Sequence, residues 1–157
     1  MVAKGIHELA AALRAEGQHI TIETAGTLLP EGIACDLASL SPKLSSSTPR
    51  AGEIEQPWIE RHDQTRLRPE ILRAWLEAGN FQLKFVFTQA SDLEEIDALV
   101  ESLSIPVPPS KVLLMPEGMD ENHITARQQE LVSLCLQRGN RYCDRLHIRL
   151  FGNTKGT

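Results

Sequence analysis

The stretch FQLKFVFTQASDLEEIDALVESLSIPVPPSKVLLM, residues 81–115, decides the fold class. Its first seven residues alternate strongly enough to be read as a strand. Ser91-Asp92-Leu93-Glu94 then has the form of a capping box and predicts a helix running to about Leu103. Lys111-Val112-Leu113-Leu114-Met115 is a continuous apolar run, the pattern of a strand buried on both faces in a parallel sheet. Strand, helix and strand in this order predict a parallel pair joined by a right-handed crossover.

The same alternation extends in both directions. Ile6, Leu9, Ala10 and Leu13 stand at helical spacing in residues 5–16, and Gly17 is placed to close that helix. Residues 19–23 and 32–40 are short runs without helical caps and are expected to be strands. Residues 41–64 are rich in Ser, Pro, Gly and charge, with prolines at 42, 49 and 57, and are expected to form a long loop without regular structure. A helix is expected over 68–78, opened by Pro69 and stopped at Gly79, and another over 122–138, stopped at Gly139. Residues 144–150 are expected to form the last strand. The fold class is α/β, one domain over 1–157 built on a mostly parallel sheet, so the loops at the C-terminal strand ends form the default ligand face.

Composition limits the function. A chain of 157 residues with 41% apolar and 24% charged residues has the size and mix of a single soluble domain. A formal charge of −5 gives no reason to expect the polyanionic backbone of nucleic acid as the main ligand. The chain holds no apolar run long enough to cross a membrane, and its first residues form an amphipathic pattern rather than a secretory leader, so a cytoplasmic location is expected. Cys35, Cys135 and Cys143 are odd in number and widely spaced, which encodes neither a disulfide framework nor a metal knuckle. Cys135 lies in an apolar helical stripe and is expected to be core filler.

The candidate site residues stand at the predicted strand ends. Glu23-Thr24-Ala25-Gly26-Thr27 follows the first strand and combines a carboxylate, hydroxyls and a glycine, a set suited to ribose hydroxyls. Ser41-Pro42-Lys43 follows the second strand, and Met115-Pro116-Glu117-Gly118 the strand at 111–115, adding one cation and a further carboxylate. A turn containing Pro and Gly can equally be only a turn. His7, His19, His62, His123 and His147 are scattered, with no pair at helical i, i+4 spacing, so no zinc site is expected. Trp58 and Trp75 are expected to pack. Arg61, Arg66 and Arg68, with Glu60 and Asp63, have the pattern of a solvated mixed-charge face.

Taken in order, ITIETAGT (20–27), DLASLSPKL (36–44) with the following SSSTP, LKFVF (83–87), DLEEI (92–96), VLLMPEG (112–118) and RYCDRLHIRLFGNTKGT (141–157) resemble successive segments of 7-carboxy-7-deazaguanine synthase, a radical S-adenosylmethionine enzyme. The resemblance covers nearly the whole chain and implies a partial barrel of parallel strands. It further implies that Glu23, Thr24, Ser41, Pro42, Lys43, Met115, Pro116, Glu117 and Gly118 line the S-adenosylmethionine site, and that His147 lies near the substrate. The implied reaction turns 6-carboxy-5,6,7,8-tetrahydropterin into 7-carboxy-7-deazaguanine with loss of ammonia, on the route to queuosine and related 7-deazapurines. It uses a 4Fe-4S cluster and Mg2+, in a protein that associates as a homodimer.

This chain departs from that pattern in one respect. The cysteine motif that holds the cluster, the hydroxyl ligand for magnesium and a Gly-Gly-Glu-Pro stretch, all N-terminal in the family, are absent from its sequence. The chain thus resembles the C-terminal part of such an enzyme and is expected to be inactive alone. The expected roles are half of a synthase completed by another, cluster-bearing chain, a non-catalytic nucleoside-binding remnant, or a gene fragment. A half-barrel would leave a strand edge and an apolar face to be covered by a partner or a second copy.

Overall fold

The computed structural model describes residues 4–49 and 52–154. Five strands form one sheet: β1 (Thr21–Thr24), β2 (Leu37–Leu40), β3 (Phe81–Phe87), β4 (Val112–Pro116) and β5 (Arg141–Tyr142). They lie in chain order and every pairing is parallel. The helices are α1 (Ile6–Ala15), α2 (Gln56–Thr65), α3 (Pro69–Ala78), α4 (Ser91–Ser102), α5 (Glu121–Arg138) and α6 (Leu146–Phe151). Sequential parallel order joined by crossovers of one hand keeps the connecting helices on one face, which is how a barrel wall is built. The fold is α/β on a parallel sheet, as the sequence predicts, and its strand order matches the partial barrel that the resemblance implies.

The core lies between that face and the helices. Leu83, Phe85 and Phe87 of β3 point into it beside Ala38 and Leu40 of β2 and Val112 and Leu114 of β4. Ile71, Leu72, Trp75 and Leu76 of α3, Ile96 and Leu99 of α4, and Leu131 and Cys135 of α5 close it from the other side. Removing each such side chain from water contributes roughly 1.5–3 kcal/mol. Cys135 is core filler as expected, and burial pushes its thiol pKa up.

Several expectations from the sequence are corrected. Residues 41–64 are not without regular structure, because Ser45–Ser47 form a 3-10 turn and α2 fills much of the rest. Pro57 stands in the first turn of α2, where a missing N–H costs nothing, so it starts a helix instead of preventing one. Residues 50–51 of that stretch lie outside the described residues. The second strand is shorter than predicted, because Asp36 leaves the sheet to accept a 2.7 Å hydrogen bond from the Ile20 amide.

The segment 144–150 is not a strand. Asp144 accepts from the Arg145 amide at 2.8 Å and from Arg149 Nε at 2.6 Å, which pins a first helical turn and overrides the strand propensity of the sequence. The predicted capping box also acts differently. Ser91 makes no cap bond, whereas Asp92, only 2% exposed, accepts from Thr88 N, Thr88 Oγ1 and Gln89 N. Trp75 packs as expected, but Trp58 is exposed, with Arg61 5.8 Å above its ring.

Candidate functional site at the strand C-terminal ends

Strand alternation places a second set of side chains on the sheet face away from the helices. The register aligns Glu23 with Ser39, Ser39 with Gln82, and Lys84 with Leu113, which in turn pairs with Arg141. Gln82 Nε2 donates to Ser39 Oγ at 3.0 Å, and Lys84 forms an ion pair with Glu23. The Lys84 side chain is mostly covered while that of Glu23 is mostly in solvent, so the pair is screened and adds little to stability. Cys143 lies near both partners. Burial raises its thiol pKa, Lys84 and Arg141 oppose the rise, and Asp144 and Glu23 add to it, so the resting thiol is protonated near neutral pH. Parallel sheets are ordinarily covered by apolar residues on both faces, so a row of Glu23, Ser39, Gln82 and Lys84 marks this face as one that meets a polar ligand or solvent.

At the C-terminal ends of β2, β3 and β4 three turns converge. Ser41 follows β2, and its amide donates to Thr24 O at 2.8 Å. Thr88 follows β3 and is fixed by Asp92 and by Arg127, whose guanidinium donates to Thr88 O. Glu117 follows β4, with its amide bonded to Phe87 O at 3.0 Å. Together Ser41, Pro42, Lys43, Ser46, Thr88 and Glu117 line a cleft of about 170 Å³. Complete small-molecule sites occupy roughly 300–1,000 Å³, so this cleft is large enough for part of such a ligand. Its hydroxyls, one cation and one carboxylate suit a polar ligand fragment.

The structure brings together Ser41, Pro42, Lys43 and Glu117 but divides the remaining predicted residues. Glu23 and Thr24 line a different cleft of about 610 Å³ beside the open edge of β1, with Leu28, Leu29 and Arg68. Met115 is half-buried in register with Val86, and Pro116 is buried, so both belong to the wall of the sheet. Gly118 packs against Ile124 at the start of α5. His147 lies exposed on α6 instead of on a strand. Ser39, Gln82, Lys84 and Thr88 escape a reading based on strand ends alone. The signal for Gln82 and Lys84 was the polar half of the alternation in 81–87.

The described residues do not fit an iron-sulfur cluster. All three cysteines are free thiols, and no group of three or more His, Cys, Asp or Glu among the described residues could hold a metal ion. No helix among them is long and apolar enough to cross a membrane.

A parallel, chain-ordered sheet with helices on one face and polar turns converging at its strand ends defines an α/β protein of the partial-barrel class. Comparison with known proteins narrows this. The chain is 42% identical over 158 residues to 7-carboxy-7-deazaguanine synthase of Rhodopirellula baltica, covering 100% of this chain and 60% of the relative. It is 39% identical to that of Halobacterium salinarum over 92% of this chain and 59% of the relative. The enzyme of Pyrobaculum aerophilum is 31% identical over 98% of this chain and 61% of the relative. No family model and no solved structure matches the chain. The chain is therefore similar to 7-carboxy-7-deazaguanine synthases and spans about 60% of the length of the relatives it matches.

Proposed function

We propose that this chain supplies the strand-end part of an S-adenosylmethionine site used in making 7-carboxy-7-deazaguanine from 6-carboxy-5,6,7,8-tetrahydropterin, on the route to queuosine and related 7-deazapurines. The observation that carries the reading is the convergence of Ser41, Pro42, Lys43 and Glu117, from turns far apart in sequence, on one cleft that Leu44 and Val86 also line. Hydroxyls can donate to and accept from an adenosyl ribose and a carboxylate can accept from it, while Lys43 offers a donor. The cleft is too small for the whole cofactor, which suits a site completed from elsewhere. The Lys84–Glu23 row on the same sheet gives the substrate or the rest of the cofactor a polar floor.

The reading includes a second component. The cysteines of this chain do not assemble a cluster-binding set, so reductive cleavage of S-adenosylmethionine requires thiolates from another segment or chain, or from a cluster-bearing partner. The open edge of β1, flanked by the larger cleft and by exposed Leu28 and Leu29, is where such a partner would add to the sheet. A second reading, adenosyl binding without catalysis, is favoured by the same lack of a cluster-binding set among the described residues.

The two readings separate in one experiment. Under anaerobic reducing conditions the chain is mixed with the cluster-binding portion of a relative, S-adenosylmethionine, Mg2+ and the tetrahydropterin. Formation of 7-carboxy-7-deazaguanine by the mixture, with neither part active alone, is the expected result. Adenosyl binding by the chain without product in the mixture would leave the non-catalytic reading.

A further inference from the structure

The charge pattern of residues 60–68 reads as a solvated face, yet Arg66 does not behave as a solvated residue. Its side chain is 14% exposed, unlike that of Arg68 at 43%. The guanidinium spans three segments. Nε donates to Asp63 Oδ1 at 2.9 Å on α2, which Arg66 caps, and one terminal nitrogen donates both to Glu95 Oε1 at 2.9 Å on α4 and to the Lys43 carbonyl at 3.0 Å. Glu95 completes the bridge from the other side. Both of its oxygens accept from the Ser45 amide at 3.0 Å, and Oε2 accepts from Ser45 Oγ at 2.6 Å. Burial acts to raise the Glu95 pKa, but the bonds from Ser45 and Arg66 outweigh it and leave the carboxyl below its ordinary value.

These bonds end on the backbone of Lys43 and Ser45, inside the segment that walls the strand-end cleft. No residue of α2 is buried, so packing gives that helix little hold on the body of the protein. Thr48 reaches Asp63 only at 3.5 Å. We infer that Arg66 and Glu95 are positioning residues that fix the Lys43–Ser47 wall of the cleft, touching no ligand themselves. The inference rests on the reading of that cleft as an adenosyl site. Arginine suits the role because its planar fork holds donors on separate nitrogens in a fixed geometry, whereas the three donors of a lysine radiate from one nitrogen. The carboxylate suits it because it is an acceptor on both oxygens for two donors of one serine and for the guanidinium.

The test uses the whole chain and its Glu95→Ala, Glu95→Gln, Arg66→Ala and Arg66→Lys variants. Amide hydrogen exchange is read by NMR at Ser45 and Ser47, with Phe85 and Leu114 as core controls. S-adenosylmethionine is titrated into each protein. Glu95→Ala should speed exchange at Ser45 roughly tenfold or more, the scale of a lost bond to a charged group, and leave the core amides unchanged. Its affinity for S-adenosylmethionine should fall several-fold. Glu95→Gln retains one acceptor for Ser45 and should recover part of both effects, and Arg66→Lys should recover little. Unchanged exchange at Ser45 in Glu95→Ala would overturn the inference, as would acceleration spread equally over the core amides. If the wild type binds no S-adenosylmethionine, the ligand assignment of the cleft fails, while the exchange rates still decide whether Arg66 and Glu95 hold its wall.

Discussion

Replacing Gly26 by Ala tests how the ETAGT turn is joined to the core. Gly26 has φ of +72°, a left-handed conformation that costs a residue bearing a Cβ about 1–2 kcal/mol. A Cβ there would stand 2.3 Å from Leu72 Cδ2 and 3.3 Å from its Cγ. Leu72 is 0% exposed in the middle of α3, so its side chain can give way only by moving against its buried neighbours. Overpacking of this kind costs about 1–3 kcal/mol, for a total of roughly 2–5 kcal/mol. A loss near 3 kcal/mol lowers Tm by about 6–12 °C in a domain of this size. Gly17→Ala supplies the control, since Gly17 has φ of +75° and nothing within 4 Å of its added Cβ. Thermal and urea unfolding of both variants should give Gly26→Ala the larger loss. Adding Leu72→Ala to it should cost less than the sum of the single effects, because the new methyl group enters the space the leucine vacates. Equal losses for Gly26→Ala and Gly17→Ala, or strict additivity with Leu72→Ala, would refute the described contact.

Asp92→Ala should destabilise by about 2–4 kcal/mol by leaving the Thr88 and Gln89 amides without their acceptor, and Asp92→Asn should cost less, both read by urea unfolding. Acid should loosen the Arg66–Glu95 bridge in a defined direction. Glu95 has a folded pKa lowered from its ordinary 4.5, so its contribution is present above that value and is lost as pH falls through the lower folded one. Exchange at Ser45 should therefore be insensitive to protonation of Glu95 at neutral pH and rise relative to intrinsic rates only as acid takes the carboxyl through its lowered folded pKa, whereas the Glu95→Gln variant should lack that step. Anaerobic iron and sulfide reconstitution of this chain alone should give no stoichiometric 4Fe-4S cluster, and an absorption band with about four irons per chain would contradict the separation of its thiols.

Most of the sheet was legible because its strands are strongly patterned. The alternation of 81–87 and the apolar run at 112–115 reflect burial between helices and neighbouring strands, and burial leaves a mark in sequence. The failures share a physical cause, since at each of them one side chain overrides local preference. Asp144 turns a β-prone segment into a helix, and Asp92 takes over the capping expected of Ser91. Pro57 opens a helix in a stretch whose composition suggested a loop. Arg66 shows the limit most plainly, because its partners Lys43 and Glu95 lie 23 and 29 residues away and no local pattern could announce them. Ser41, Pro42, Lys43 and Glu117 come together because each follows a neighbouring strand of one parallel sheet, so a reading based on strand ends groups them. Glu23 and Thr24 fell into another cleft because β1 is the edge strand and its end opens sideways.

The most direct test of the account is the binding of S-adenosylmethionine to the strand-end cleft. Ligand-observed NMR or calorimetry on the wild type, Lys43→Ala and Glu117→Ala should show weak binding by the wild type, near the millimolar range, equivalent to about 4 kcal/mol. Both variants should bind more weakly still, because each loses a polar group lining a partly enclosed cleft. Backbone shifts in the wild type should concentrate at residues 41–47, 88 and 117. Absence of binding to a chain shown to be folded, or equal affinity in all three proteins, would contradict the assignment of this cleft.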